Sequence, residues 1–174
     1  MTIRQLITVP DEVLRRSSKP IERIGKNEKK LIKNLFETMY HHKGIGLASI
    51  QIGIPKRIIV LDVTNKDEKK KPLCFINPEI KKISDNTSKY EEGCLSIPNT
   101  FIEIERPKTC WVEYIDIDGN KKEMKCDDLL STCIQHEINH LDGKLIIDFL
   151  SKLKKDLIVK KLSKVKQNAD RVIV

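Results

Sequence analysis

Residues 136–140 read His136-Glu137-Ile138-Asn139-His140, inside a stretch whose apolar residues recur at helical spacing. Leu129, Leu130, Cys133, Ile134, Ile138 and Leu141 form that stripe, which predicts a helix ending at about Leu141. Asp127 or Asp128 is its expected N-cap, and Gly143 is placed to close it. On a helix, residues at i and i+4 share a face, so His136 and His140 can turn their rings on one metal ion. Glu137 stands one step around the helix. It is better placed beside a water molecule, as a proton acceptor, than as a ligand. The apolar flanks predict that this helix is buried, and two buried histidines need partners. The chain must therefore fold around this helix and bring it a third ligand from elsewhere.

A catalytic metal commonly takes three protein ligands and leaves one position open. Position 146, where some zinc proteases carry a further histidine, is Ile146, and no glutamate follows His140. The acidic residues beyond it are Asp142, Asp148, Asp156 and Asp170. Upstream, Cys94 sits in Glu92-Gly93-Cys94-Leu95-Ser96-Ile97-Pro98, a turn-like segment before an expected strand. A thiolate is a strong soft ligand, but spacing alone leaves Cys94 one candidate among several.

Asn27 to His42 reads as an amphipathic helix, with Asn27 as N-cap and Leu31, Ile32, Leu35, Phe36 and Met39 on its apolar face. Strands are expected over Lys56 to Val63, Leu73 to Ile76 (ended by Asn77-Pro78), Phe101 to Arg106 and Thr109 to Ile117. Asp118-Gly119 then turns the chain into a returning strand, Lys121 to Cys126. Asn65 to Lys71 reads as a charged surface connection. Ser151 is the expected cap of a last helix, to about residue 166, with Leu153, Leu157, Ile158, Leu162 and Val165 as its stripe. The order implies one α+β domain over residues 1–174, mostly antiparallel strands around a central metal-binding helix.

The 174 residues carry 33 Lys+Arg against 25 Asp+Glu, a formal charge of +8. Much of the excess lies at the end, where Lys152, Lys154, Lys155, Lys160, Lys161, Lys164, Lys166 and Arg171 face only Asp156 and Asp170. Such a tail suits an anionic partner or is simply a solvated helix face. No apolar run is long enough to span a membrane, so none is expected as a partner. The start, Met1-Thr2-Ile3-Arg4-Gln5-Leu6, lacks the features of a signal or transit peptide. Five cysteines without a C-x-x-C fit a reducing cytoplasm.

Three separated motifs carry a family resemblance. Gly44-Ile45-Gly46-Leu47-Ala48-Ser49-Ile50-Gln51 resembles G-x-G-L-A-A-x-Q. Glu92-Gly93-Cys94-Leu95-Ser96 resembles E-G-C-L-S. Gln135-His136-Glu137-Ile138-Asn139-His140-Leu141 resembles Q-H-E-x-D-H-L. In this order they are similar to the bacterial-type peptide deformylases, from about Ile7 to about Leu153. Ser49 and Asn139 depart from the pattern, in place of an alanine and an aspartate.

The resemblance implies a hydrolase that removes the formyl group from N-formylmethionyl peptides and releases formate. It implies Cys94, His136 and His140 as metal ligands, and Glu137 as the group that accepts and returns a proton. The Gln51 amide and the Leu95 backbone N–H would stabilise the developing oxyanion. It implies Fe(II) as the metal, with zinc, nickel or cobalt able to substitute, whereas the ligand types alone read as zinc. Gly44 and Gly46 would let a peptide backbone pair closely in the manner of an added strand. Ile45, Tyr90, Leu129, Thr132 and Cys133 are candidates for the wall of a methionine slot. The basic last helix would contact the ribosome through phosphates, with no DNA partner expected. The rival readings are an internal-bond metalloprotease, a metal-free cysteine hydrolase and a non-catalytic binding module.

Overall fold

The computed structural model describes residues 3–64 and 68–170, with no side-chain description from residue 166 onward. Met1, Thr2 and Arg171, the Lys166 side chain, and Asn65 to Asp67 of the expected surface connection lie outside the described residues.

The elements run in the order α1 (Lys26–His41), β1 (Gly46–Ala48), β2 (Ile58–Leu61), β3 (Leu73–Ile83), β4 (Thr87–Cys94), β5 (Ile97–Pro107), β6 (Thr109–Ile115), β7 (Lys121–Asp127), α2 (Asp128–Leu141) and α3 (Lys152–Asp170). Strands β1, β2, β3, β6 and β7 form one sheet in that order, and β4 pairs with β5 in a second, two-stranded sheet. All these pairings are antiparallel, giving the expected α+β architecture.

Strand β2 explains how the layers stack. Its four residues, Ile58 to Leu61, are all fully buried. Ile58 and Val60 pack with Leu31, Leu35 and Met39 of α1, while Ile59 and Leu61 pack with Ile134, Ile138 and Leu141 of α2. A strand covered on both faces needs a continuous apolar run rather than an alternating one, and each such side chain contributes about 1.5–3 kcal/mol by leaving water. A third cluster joins Ile97, Ile102 and Ile104 of the hairpin to Val9, Leu14 and Leu145 to Ile147. Helix α2 thus has the large sheet on one side and contacts to β5 of the hairpin on the other.

Several boundaries differ from expectation. Helix α1 is capped at Gly25, whose N–H donates to the Glu28 carboxylate at 3.0 Å, so Asn27 is already inside the helix. Asn77-Pro78 does not end β3; the register shifts there and the strand continues to Ile83. Asn77 adopts φ 51° and clips Ile21 with both ends of its amide, accepting from the backbone N–H at 2.7 Å and donating to the carbonyl at 2.8 Å. Strand β4 lies outside the expected set, because Thr87 to Cys94 is charged and only Tyr90 and the threonine favour a strand. In α3, Ile158 and Leu162 pack inward. Leu153, Leu157 and Val165 are exposed, because no layer among the described residues covers that side of the helix.

Candidate active site

Helix α2 delivers three functional groups from one buried turn and a half. His136, Glu137 and His140 are 8%, 4% and 1% exposed. Cys94 ends β4, where the chain turns through Leu95 and Ser96 into β5. Its Sγ stands 3.1 Å from His140 Nε2. Candidate ligand atoms of Cys94, His136 and His140 all lie within 4.8 Å of one another. His136 uses Nδ1 on Glu92 Oε2, at 2.8 Å, which leaves Nε2 for the centre of the group.

The electrostatics follow from burial and neighbours. Burial holds the His140 imidazole well below its usual range, and the charge favoured on His136 adds to that, so His140 is neutral. Burial opposes charge on His136 too, but hydrogen bonds to Cys94 and Glu92 outweigh it and push its pKa up to about 10. A cation at this centre would take the place of that proton, because an imidazole binds metal only when neutral. Burial pushes the Glu137 carboxyl up to about 7, with His136 and Arg106 opposing the shift and Glu92 reinforcing it. Its Oε2 is buried and has no hydrogen-bond partner among the described residues, and neither has His140 Nδ1. One thiol and two imidazoles, converging beside a free carboxylate oxygen, fit a divalent metal with a neighbouring base.

Gln51 lies in a short 3-10 turn, Ser49–Ile52, directly after β1. Its Oε1 accepts the Ala48 backbone N–H at 2.8 Å. That N–H can only donate, so the amide NH2 must point the other way. It lies 3.7 Å from Cys94 Sγ and 3.2 Å from Ser96 Oγ. The neighbouring Ser49 departs from the alanine of the motif and donates its hydroxyl to the Lys56 carbonyl, so the buried oxygen is satisfied.

A cavity of about 570 Å³ opens above these groups. It is lined by every residue expected at the site except His140, which sits behind: Gly44, Ile45, Gly46, Gln51, Tyr90, Cys94, Leu95, Leu129, Thr132, Cys133, His136 and Glu137. Cys133 is a wall residue whose thiol burial pushes up to about 12, so it stays neutral. Ile45 and Leu129 stand half-exposed at the rim. Gly44 and Gly46 have a second reason to lack side chains. A Cβ on Gly44 would meet Leu95 Cδ1 at 2.8 Å, and one on Gly46 would meet Glu137 Oε1 at 2.5 Å.

The polypeptide deformylase family model matches residues 3–156. The chain belongs to the polypeptide deformylase family. The peptide deformylase of Pelagibacter ubique (strain HTCC1062) is 56% identical over 174 residues, 100% of both chains. The crystal structure of the Ehrlichia chaffeensis peptide deformylase superposes with a TM-score of 0.91 at 38% identity, covering 98% of this chain and 100% of that one. The same enzyme in complex with actinonin gives a TM-score of 0.90 at 40% identity, over 94% and 98% of the two chains. The chain is accordingly an enzyme of the deformylase class, and the three-ligand group described above suits the metal such enzymes use.

A deformylase reading of the sequence misses two parts of this site. Arg106, 5% exposed, donates from Nε and Nη2 to the two oxygens of Glu92 at 2.5 and 3.0 Å. Its Nη1 donates to Asn139 Oδ1 at 2.9 Å. Its guanidinium also lies over the Phe149 ring, 4.9 Å from the centroid. The signal is in the strand. Ile102, Ile104 and Arg106 share the inward phase of β5, and an arginine on an apolar phase needs a buried anion. Phe101 is the other omission: it is exposed, lines the cavity, and lies across Gly93. No helix among the described residues is long and apolar enough to cross a membrane.

Proposed function

We propose that this chain hydrolyses the N-formyl group of N-terminal formylmethionine on newly made polypeptides and releases formate. The observation that carries this reading is the free, buried Oε2 of Glu137 beside the Cys94–His136–His140 group, at the base of a cavity with apolar walls. Residues 1–174 then form one catalytic domain.

Cys94, His136 and His140 would hold the ion, Fe(II) in the cell, with zinc, nickel or cobalt as substitutes. When bound, it supplies Lewis-acid polarisation and makes water acidic enough to react at neutral pH. Glu137 accepts a proton from the attacking water. Burial, which raises its pKa, makes it a stronger base than an ordinary carboxylate. The Gln51 NH2 and the Leu95 N–H donate to the formyl oxygen as it gains negative charge. Loss of one such donor costs about 3–4 kcal/mol. As the carbon–nitrogen bond breaks, Glu137 returns the proton to the leaving amine.

Substrate recognition follows from the walls. Leu129, Thr132, Cys133, Ile45 and Tyr90 enclose the methionine side chain. Gly46 begins the edge strand β1 and Gly44 and Ile45 lead into it, and an extended peptide would pair along this segment. The Ehrlichia chaffeensis peptide deformylase forms a complex with actinonin, and in this chain the cavity over the Cys94–His136–His140 group is where such a ligand would be taken. The reaction belongs in the cytoplasm, and the basic α3 would contact ribosomal RNA.

The test is formate release from a short formyl-Met peptide by protein purified anaerobically with Fe(II). Rapid release, abolished by chelation and restored by Fe(II), is expected. A folded, metal-loaded sample that releases none would reject the reading.

A further inference from the structure

The buried cluster behind His136 contains one full positive charge and one full negative charge. Arg106 commits two donors to Glu92 and a third to Asn139, an acceptor that carries no charge. The Phe149 ring lies beside the guanidinium, its centroid 4.9 Å from the central carbon. Glu92 in turn holds His136 through Nδ1 at 2.8 Å. A negative charge added beside Arg106 would therefore be felt at Glu92, and through Glu92 at the imidazole that faces the ligand group. A carboxylate at position 139 would compete with Glu92 for the guanidinium and add one negative charge to the cluster. Glu92 would be less neutralised and would pull harder on the His136 N–H, making the opposite ring nitrogen a better donor. Asn139 prevents this.

We propose that Arg106 and Asn139 are positioning residues that set the strength with which the Cys94–His136–His140 group holds a divalent ion. The neutral amide of Asn139 keeps that hold weaker than a carboxylate would. This rests on the metal-site reading above. It adds that the strength of the site is adjusted from behind His136, by a residue that touches neither the ion nor the substrate.

The experiment uses full-length protein loaded with Co(II) and equilibrated with a chromogenic chelator, alongside Asn139→Asp and Asn139→Leu variants. The cobalt–thiolate and visible bands report the ligand set, and the chelator reports affinity. Asn139→Asp is expected to keep the spectrum and to tighten Co(II) binding about tenfold, the lower end of the effect usual for groups behind metal ligands. Asn139→Leu adds no charge and is expected to bind Co(II) within threefold of the wild type, although it loses thermal stability. A merely structural Asn139 would instead make both variants bind more weakly. An Asn139→Asp protein within threefold of the wild type, or weaker, overturns the proposal. A wild type with no cobalt–thiolate band overturns it together with the metal site itself.

Discussion

A side chain on Gly46 and the carboxylate of Glu137 cannot occupy the same space: a Cβ there would lie 2.5 Å from Oε1 and 2.9 Å from Leu61 Cδ2. The bare backbone of β1 is thus the wall against which Glu137 is set. Gly46→Ala should push the flexible end of Glu137 aside rather than disrupt the core. We expect kcat to fall about a hundredfold, within the usual contribution of a general base. Stability should fall by only about 1 kcal/mol. Steady-state kinetics with a formyl-Met peptide and a thermal melt check both halves, and unchanged kcat would mean that Glu137 is not positioned by this wall.

Gln51 is oriented by the Ala48 N–H, which fixes its oxygen and aims its NH2 at the site. Gln51→Glu retains the acceptor for Ala48 and removes the donor. A loss of about 10²–10³ in kcat is expected, as for other donors to a developing oxyanion, with bound metal at the wild-type level. Metal analysis of the same sample separates this from simple loss of the ion.

Asp148 ties three segments together. Burial would raise its pKa, but hydrogen bonds from Arg15, Lys155 and the Leu145 backbone N–H outweigh this and bring it from 3.8 to about 2. A depressed carboxyl stabilises the fold above its unfolded pKa and loses that contribution as pH falls through its folded one. Stability should therefore decline as pH drops from near 4 toward 2, and Asp148→Asn should flatten that part of the profile. Urea unfolding across this range is the measurement. A wild-type profile no steeper than that of the variant would show that Asp148 does not couple to folding.

Lys160, Lys161 and Lys164 are exposed on α3. Reversing all three to glutamate should weaken co-sedimentation with ribosomes. It should also lower the salt slope of binding by roughly 2–3, at 0.7–0.9 for each phosphate the helix no longer neutralises. Turnover of a short formyl-Met peptide should not change. Ribosome binding that survives the reversal would place the docking face on another surface.

Local pattern makes some of this molecule readable from its residues alone. Helix α2 is legible because two histidines at i and i+4 in an apolar stripe permit few other arrangements. Cys94 is a candidate by chemistry, but its closeness to His140 depends on how β4 meets α2, which no spacing encodes. Strand β4 is hidden because its pairing with β5, not its own residues, makes it a strand. The α3 stripe promises more burial than it has, since periodicity marks a face without saying whether anything covers it. Asn77-Pro78 reads as a stop, yet the Asn77 amide gains two backbone partners at Ile21 that make an irregular passage favourable. The Arg106–Glu92–Asn139 cluster joins residues 14 to 47 positions apart in the chain, and only the misplaced polarity of Arg106 announces it.

Strand β1 is three residues long and lies at the edge of its sheet. A long exposed edge invites uncontrolled association between molecules, and shortness is one way proteins limit it. The same shortness sets what the edge can discriminate. Three residues offer a visitor a few main-chain groups, and those are alike in every polypeptide. On the proposed reading, in which a formylated chain pairs along this edge, so short a strand would leave most of that chain's side chains unread.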